Sequence, residues 1–116
     1  MDHINIWYYS LSSLVKTGDV TRITLTEDVR LADISQHYVK VLTLRDKDAT
    51  KNMDEIFALL NSDKNPLSGN PEAQALIGKH GSHTSMTVGD VMELVPEGDD
   101  PVMWFSVGGT GFNLLT

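Results

Sequence analysis

The sequence predicts a small α+β domain. A mainly antiparallel sheet of five or six strands packs against one main helix, and a β-meander closes the C-terminal end. Three observations carry this reading. Short apolar segments that alternate with polar residues recur along the chain, as half-buried strands require. One segment instead repeats at i, i+3, i+4 and i+7 through Met53, Ile56, Phe57 and Leu60, the spacing of an amphipathic helix. Turn formers separate the last apolar segments: Val88-Gly89-Asp90, the stretch Pro96 to Pro101, and Gly108 to Gly111.

In chain order, Ile4-Asn5-Ile6-Trp7-Tyr8-Tyr9 is rich in strand formers, with Ile4, Ile6 and Tyr8 on one face. Leu11, Leu14 and Val15 stand at helical spacing, which predicts a short helix stopping at Gly18. Arg22 to Thr26 alternates with Ile23 and Leu25 inward and reads as a second strand. Leu31 to Gln36 fits neither period. Tyr38 to Leu44 reads as a third strand, with Val39 and Val41 on one face and Leu42 and Leu44 on the other. The main helix starts at Asn52, an N-cap, with Glu55 three residues on as in a capping box.

Residues 61–83 hold Pro66, Gly69, Pro71, Gly78 and Gly81 among polar neighbours, a long connection of the kind that carries function. Within it Asn70 and Pro71 should open a short helix that Gly78 stops. Val91 to Val95 then pairs with Val102 to Val107, and the glycines from Gly108 permit a corner with positive φ. Phe112, Leu114 and Leu115 finish the core. That core is expected to include Ile4, Ile6, Ile23, Leu25, Val39, Val41, Ile56, Phe57, Leu60, Met86, Val88, Val91, Leu94, Phe105, Val107 and Phe112.

The 116 residues suffice for one domain, 1–116, with a single core. Hydrophobic residues at 41% and charged residues at 22% are ordinary for a globular protein. No apolar run approaches the ~20 residues that span a bilayer, and the first residues lack the pattern of a signal peptide. The expected location is the cytoplasm, without membrane contact. No cysteine is present, which excludes disulfides, thiolate zinc sites and cysteine nucleophiles. The net charge is −7, and the nine Lys and Arg residues are scattered, so direct binding to nucleic acid is not expected.

The segments Asp54-Glu55-Ile56-Phe57-Ala58-Leu59-Leu60-Asn61, His83-Thr84-Ser85-Met86-Thr87-Val88-Gly89-Asp90-Val91, Trp104-Phe105 and Gly111-Phe112 resemble the YodL-like family of small phage and mobile-element proteins. The resemblance covers about Met53 to the C-terminus, and more loosely the first strand. Thr87 stands where the pattern has serine, and Gly108-Gly109-Thr110 is richer in glycine than the pattern. The resemblance implies an accessory protein acting in the host cytoplasm, with a host or mobile-element protein as partner and counter-defence as a setting. It brings no catalytic activity and no cofactor.

No catalytic residue is assigned from the residues themselves. His80, His83, Ser85 and Asp90 gather the reactive side-chain types in one short window and make the alternative, a small enzyme or metal-dependent protein. Two histidines three apart lack an evident third ligand. Asp90 after Gly89 suits a turn carboxylate that accepts backbone N–H groups. Ser85 and His83 share a face if the segment is extended, but a triad also needs an orienting acid and an oxyanion hole. Gly108 to Gly111 lacks the Lys-Ser/Thr ending and the helix of a phosphate loop. Binding residues are therefore assigned to His80, His83, Ser85, Asp90 and Trp104, with no metal. A third reading takes Glu27, Asp28, Asp33, Asp46, Asp48, Glu93, Glu97, Asp99 and Asp100 as a DNA-like array that would inhibit a nucleic-acid-binding protein.

Overall fold

The alternation in the first strand sends Ile4, Ile6 and Tyr8 to one face of a sheet and Trp7 and Tyr9 to the other, and helices cover both. The computed structural model describes residues 3–45 and 53–116. Its elements are β1 (His3–Tyr9), α1 (Leu11–Thr17), α2 (Val20–Thr24), α3 (Leu31–His37), β2 (Tyr38–Arg45), α4 (Met53–Leu59), α5 (Pro71–His80), β3 (Val91–Val95), β4 (Met103–Val107) and β5 (Phe112–Leu114). The class is α+β. The sheet order is β2-β1-β3-β4-β5, and every neighbouring pair is antiparallel. β3, β4 and β5 form the terminal meander.

On the first face the strand residues Ile4, Ile6, Tyr8, Met92 and Val107 meet Ile56 and Leu60 of the main helix segment and Ala73 and Ile77 of α5. Met53 and Phe57 pack against this core from the helix stripe. On the second face Tyr38 and Val91 meet Leu14, Ile23 and Ile34 from α1, α2 and α3. The N-cap assigned to Asn52 lies outside the described residues.

The second strand read at Arg22 to Thr26 is instead the end of α2, through Thr24, and the turn that follows it. Alternation over five residues is also met by one helical turn that buries a single apolar side chain. Here Ile23 is buried and Leu25 is 73% exposed. The hydroxyls of Thr24 and Thr26 donate to the carbonyls of Val20 and Arg22, four residues back. Leu31 to His37, which fits neither period by sequence, is α3.

In β2 the two predicted faces merge. Ile6 pairs with Leu42 but Trp7 pairs with Lys40, so Val41 is the extra residue of a β-bulge. The bulge resets the alternation. Val41 and Leu44 are therefore buried in the same core, with Val39 and Leu42 against it.

The connection 61–83 belongs to the core. Leu67 is fully buried, and the Asn65 side chain donates to the carbonyls of Leu60 and Thr84 at 2.6 and 3.0 Å. Asn70 caps α5 as expected, its side chain accepting from the Ala73 amide at 3.1 Å. Gly78 does not stop the helix. Gly81 does, in the left-handed region at φ 62°. At the C-terminal end Leu115 is buried, Leu114 is exposed, and Val88 and Phe105 are half-buried.

Candidate functional site

The Thr87-Val88-Gly89-Asp90 turn places the site. The Asp90 amide donates to the Thr87 carbonyl at 3.1 Å, and Gly89 takes φ 97°. A side chain at Gly89 would meet Ile23 Cγ2 at 3.2 Å and the Ile23 carbonyl oxygen at 3.3 Å, so position 89 needs glycine for conformation and for space. The turn thereby delivers Asp90, which is 0% exposed, to the end of β1.

The Asp90 carboxylate meets three donors. Oδ1 accepts from the Tyr9 amide at 3.2 Å, and Oδ2 accepts from the Thr87 amide at 2.8 Å. His83 Nε2 lies 2.6 Å from Oδ2. The imidazole is held between Tyr8, stacked at 4.7 Å, and Tyr9, tilted at 4.7 Å. The Tyr8 hydroxyl donates to the Thr84 carbonyl at 2.8 Å, and the Tyr38 hydroxyl donates to the Gly89 carbonyl. Burial pushes the Asp90 carboxyl above its usual range, against the opposing pull of His83 and the two amides. Burial, and then the nearby Asp90 charge, push the Tyr8 and Tyr38 phenols well above theirs.

His83 with Asp90 is thus a base held by a buried carboxylate, the half of a hydrolytic triad that orients the imidazole. The nucleophile's half is not assembled. Ser85 is exposed, and the hydroxyl near His83 Nδ1 is that of Ser82 at 3.4 Å, a long contact. The Thr87 and Tyr9 amides, which would be natural oxyanion donors, already serve Asp90. His80 stands apart, its Nδ1 3.3 Å from Ser10 Oγ at the start of α1. Among the described residues no three His, Asp or Glu side chains are placed to share a metal ion.

Comparison with protein families, with curated proteins and with solved structures finds no match to this chain. The likeness to the YodL-like family accordingly rests on the segments quoted above.

Trp104, the remaining assigned residue, is half-buried on the second face, and its ring lies 5.8 Å from that of Trp7. Beside this pair Glu93 Oε1 accepts from Asn5 Nδ2 at 2.9 Å and from Trp7 Nε1 at 3.0 Å. Asn5 and Trp7 do not figure among the assigned binding residues, and Glu93 figures only in the acidic array. Sequence carried no signal for them: Asn5 alternates with Ile4 and Ile6, so it falls on the face where a polar residue is ordinary. A second cluster, also missed, joins His37 Nδ1 to Ser13 Oγ at 2.7 Å and His37 Nε2 to Asp19 Oδ2 at 3.3 Å. Its residues are scattered over α1, the α1–α2 junction and α3, and no spacing rule links them.

Three of the acidic residues are engaged within the chain. Asp33 is buried and receives both ends of the Arg22 guanidinium at 3.0 and 2.8 Å. Asp28 pairs with Arg30 at 2.8 Å. Glu27, in the left-handed region at φ 58°, accepts from the Gly109 amide at 2.7 Å. The glycine corner therefore does cradle an anion, the chain's own Glu27. Asp46 and Asp48 lie outside the described residues.

Proposed function

We propose that this chain is a phage or mobile-element accessory protein that works in the host cytoplasm by binding a host or element protein, with counter-defence as its setting. The family resemblance supports the origin. The observation that carries the binding mode is an uncovered apolar corner of the sheet. Met103 and Phe105 share a face of β4 with Val107, and Leu114 stands opposite Phe105 on β5. Val107 is buried beneath the helices, but Val102, Met103 and Leu114 are 44%, 42% and 53% exposed. Neighbouring exposed aliphatic residues at the β4–β5 end of the sheet, where β5 is the edge, are the kind of surface that a partner protein covers.

The test is a Met103→Ser, Leu114→Ser double variant. Surface changes of this kind shift stability by only about 0.5 kcal/mol. Quantitative capture from host lysate should recover one stoichiometric partner with the parent chain and lose it with the variant. Equal recovery by both would place the interface elsewhere, and a defined turnover by the pure protein with no partner would overturn the reading.

The 2.6 Å contact of His83 with Asp90 favours the enzymatic alternative as second reading. Metal analysis of untagged protein and a hydrolase substrate panel on His83→Ala test it, with unchanged background rates ending it. The DNA-mimic reading is weakened by the internal pairing of Asp28, Asp33 and Glu27.

A further inference from the structure

The second sheet face carries a partly buried row of side chains that crosses four strands. Thr43 on β2 pairs with Asn5 on β1, Asn5 with Glu93 on β3, and Glu93 with Trp104 on β4. Thr43 Oγ1 donates to Asn5 Oδ1 at 2.7 Å, which fixes the Asn5 amide so that its Nδ2 donates to Glu93. The Trp7 indole N–H donates to the same Oε1. Both donors are neutral. Among the described residues no Lys, Arg or His pairs with Glu93, and Oε2 accepts no hydrogen bond.

A half-buried carboxylate so held is unusual, because a fixed negative charge at partly desolvated depth ordinarily gains a cation. The two indoles beside it are the other half of a cation site. Their rings lie 5.8 Å apart and tilted by 50°, over the strand that carries Glu93. Aromatic faces attract cations, and planar guanidinium groups stack on them while donating in plane to a carboxylate. An ammonium would use the charge but not the stacking.

We propose that Glu93, Trp7 and Trp104 form a receptor for the guanidinium of an arginine side chain presented by the partner protein. The guanidinium stacks on the indole surface and donates to Glu93 Oε2, while Asn5 and Thr43 hold the carboxylate in place. The charge sign agrees with the chain as a whole, whose −7 net charge steers basic partners. Trp104 sits between Met103 and Phe105 on β4 and faces the other way, so the receptor and the apolar corner lie on opposite faces of the same strand. This rests on the protein-binding reading and names one group that the partner must carry.

The test uses a reporter that the chain already has. Its two tryptophans are both at this site, so intrinsic fluorescence of the full protein reads it without a label. The probe is a capped Gly-Gly-Arg-Gly-Gly peptide, set against the same peptide with neutral citrulline and against tetramethylammonium. The arginine peptide should give a saturable change. The citrulline peptide should bind at least tenfold more weakly. Raising salt from 50 to 300 mM, values chosen to span the screening range, should weaken the arginine peptide severalfold. Glu93→Gln keeps an acceptor for Asn5 and Trp7, so it preserves the fold, and it should weaken the arginine peptide about tenfold.

No saturable change with the arginine peptide, or an equal change with citrulline, overturns the proposal. Saturation by tetramethylammonium at lower concentration than by the arginine peptide also overturns it, in favour of a small-cation pocket. Partner capture by Glu93→Gln at parental level, when the Met103→Ser, Leu114→Ser variant has lost it, would sink the receptor and leave the protein-binding reading standing.

Discussion

The Tyr9 amide and the Asp90 carboxylate, 81 residues apart in sequence, are hydrogen-bonded at 3.2 Å. The bond ties the end of β1 to the start of β3, where the turn enters the sheet. The same carboxylate closes its own turn through the Thr87 amide and takes His83 on its remaining side. One buried side chain thus sets the register of the second half of the sheet against the first.

Asp90→Ala should be among the most damaging single changes. It leaves the part-buried amides of Tyr9 and Thr87 without this acceptor, at about 1–3 kcal/mol each. Urea unfolding should show a loss of about 2–6 kcal/mol. Asp90→Asn keeps one acceptor oxygen and should lose less. An alanine variant within about 1 kcal/mol of the parent would refute the role given to this carboxylate.

Stability should fall steeply in alkali. The Tyr8 and Tyr38 phenols have folded values raised above the ordinary value near 10 by burial and by Asp90. A raised folded value means that the unfolded chain releases its protons first. The contribution is complete below pH ~10 and is lost as pH rises from there towards the folded values, by about 1.4 kcal/mol per pH unit for each group. Tyr9 is raised by the same causes, so unfolding curves between pH 9 and 12 should show this slope and Tyr8→Phe or Tyr38→Phe should remove about a third to a half of it. An unchanged slope in both variants would contradict the burial of these hydroxyls.

Two glycines with positive φ should respond differently to alanine. Gly18 ends α1 at φ 79° with open space around it, so Gly18→Ala should cost only the left-handed penalty of about 1–2 kcal/mol. Gly89 bears the same kind of penalty and also faces Ile23 at 3.2 Å. Gly89→Ala should therefore cost clearly more, and thermal melts of the pair should separate by several degrees.

Ser106→Ala should be neutral or stabilising. The Ser106 hydroxyl is buried in a residue 1% exposed and has no hydrogen-bond partner among the described residues. Removing an unsatisfied buried polar group removes a desolvation cost rather than a bond. A loss above about 1 kcal/mol on chemical denaturation would show that the hydroxyl is satisfied in solution.

The sequence by itself determined the strands at Ile4 to Tyr9 and Tyr38 to Leu44, whose strand formers run for more than five residues, and the helix with a full apolar stripe. Ile4, Ile6 and Tyr8 share a face because alternation is a property of the chain, and Ile56 and Leu60 are buried because helical spacing is too. It also determined the Gly18 stop, the Asn70 cap and the Asp90 turn, which are local chemistry. Tertiary structure decided the rest. Arg22 to Thr26 became the end of a helix and its turn because five residues are too few for period alone to choose, and burial of Ile23 chose. The bulge at Val41 moved side chains between faces, a decision made by the pairing strand and invisible in β2 itself. His83 met Asp90, and Glu93 met Trp7, through contacts between strands distant in sequence. Such sites are assembled by the register of the sheet, and register belongs to no single segment of the chain.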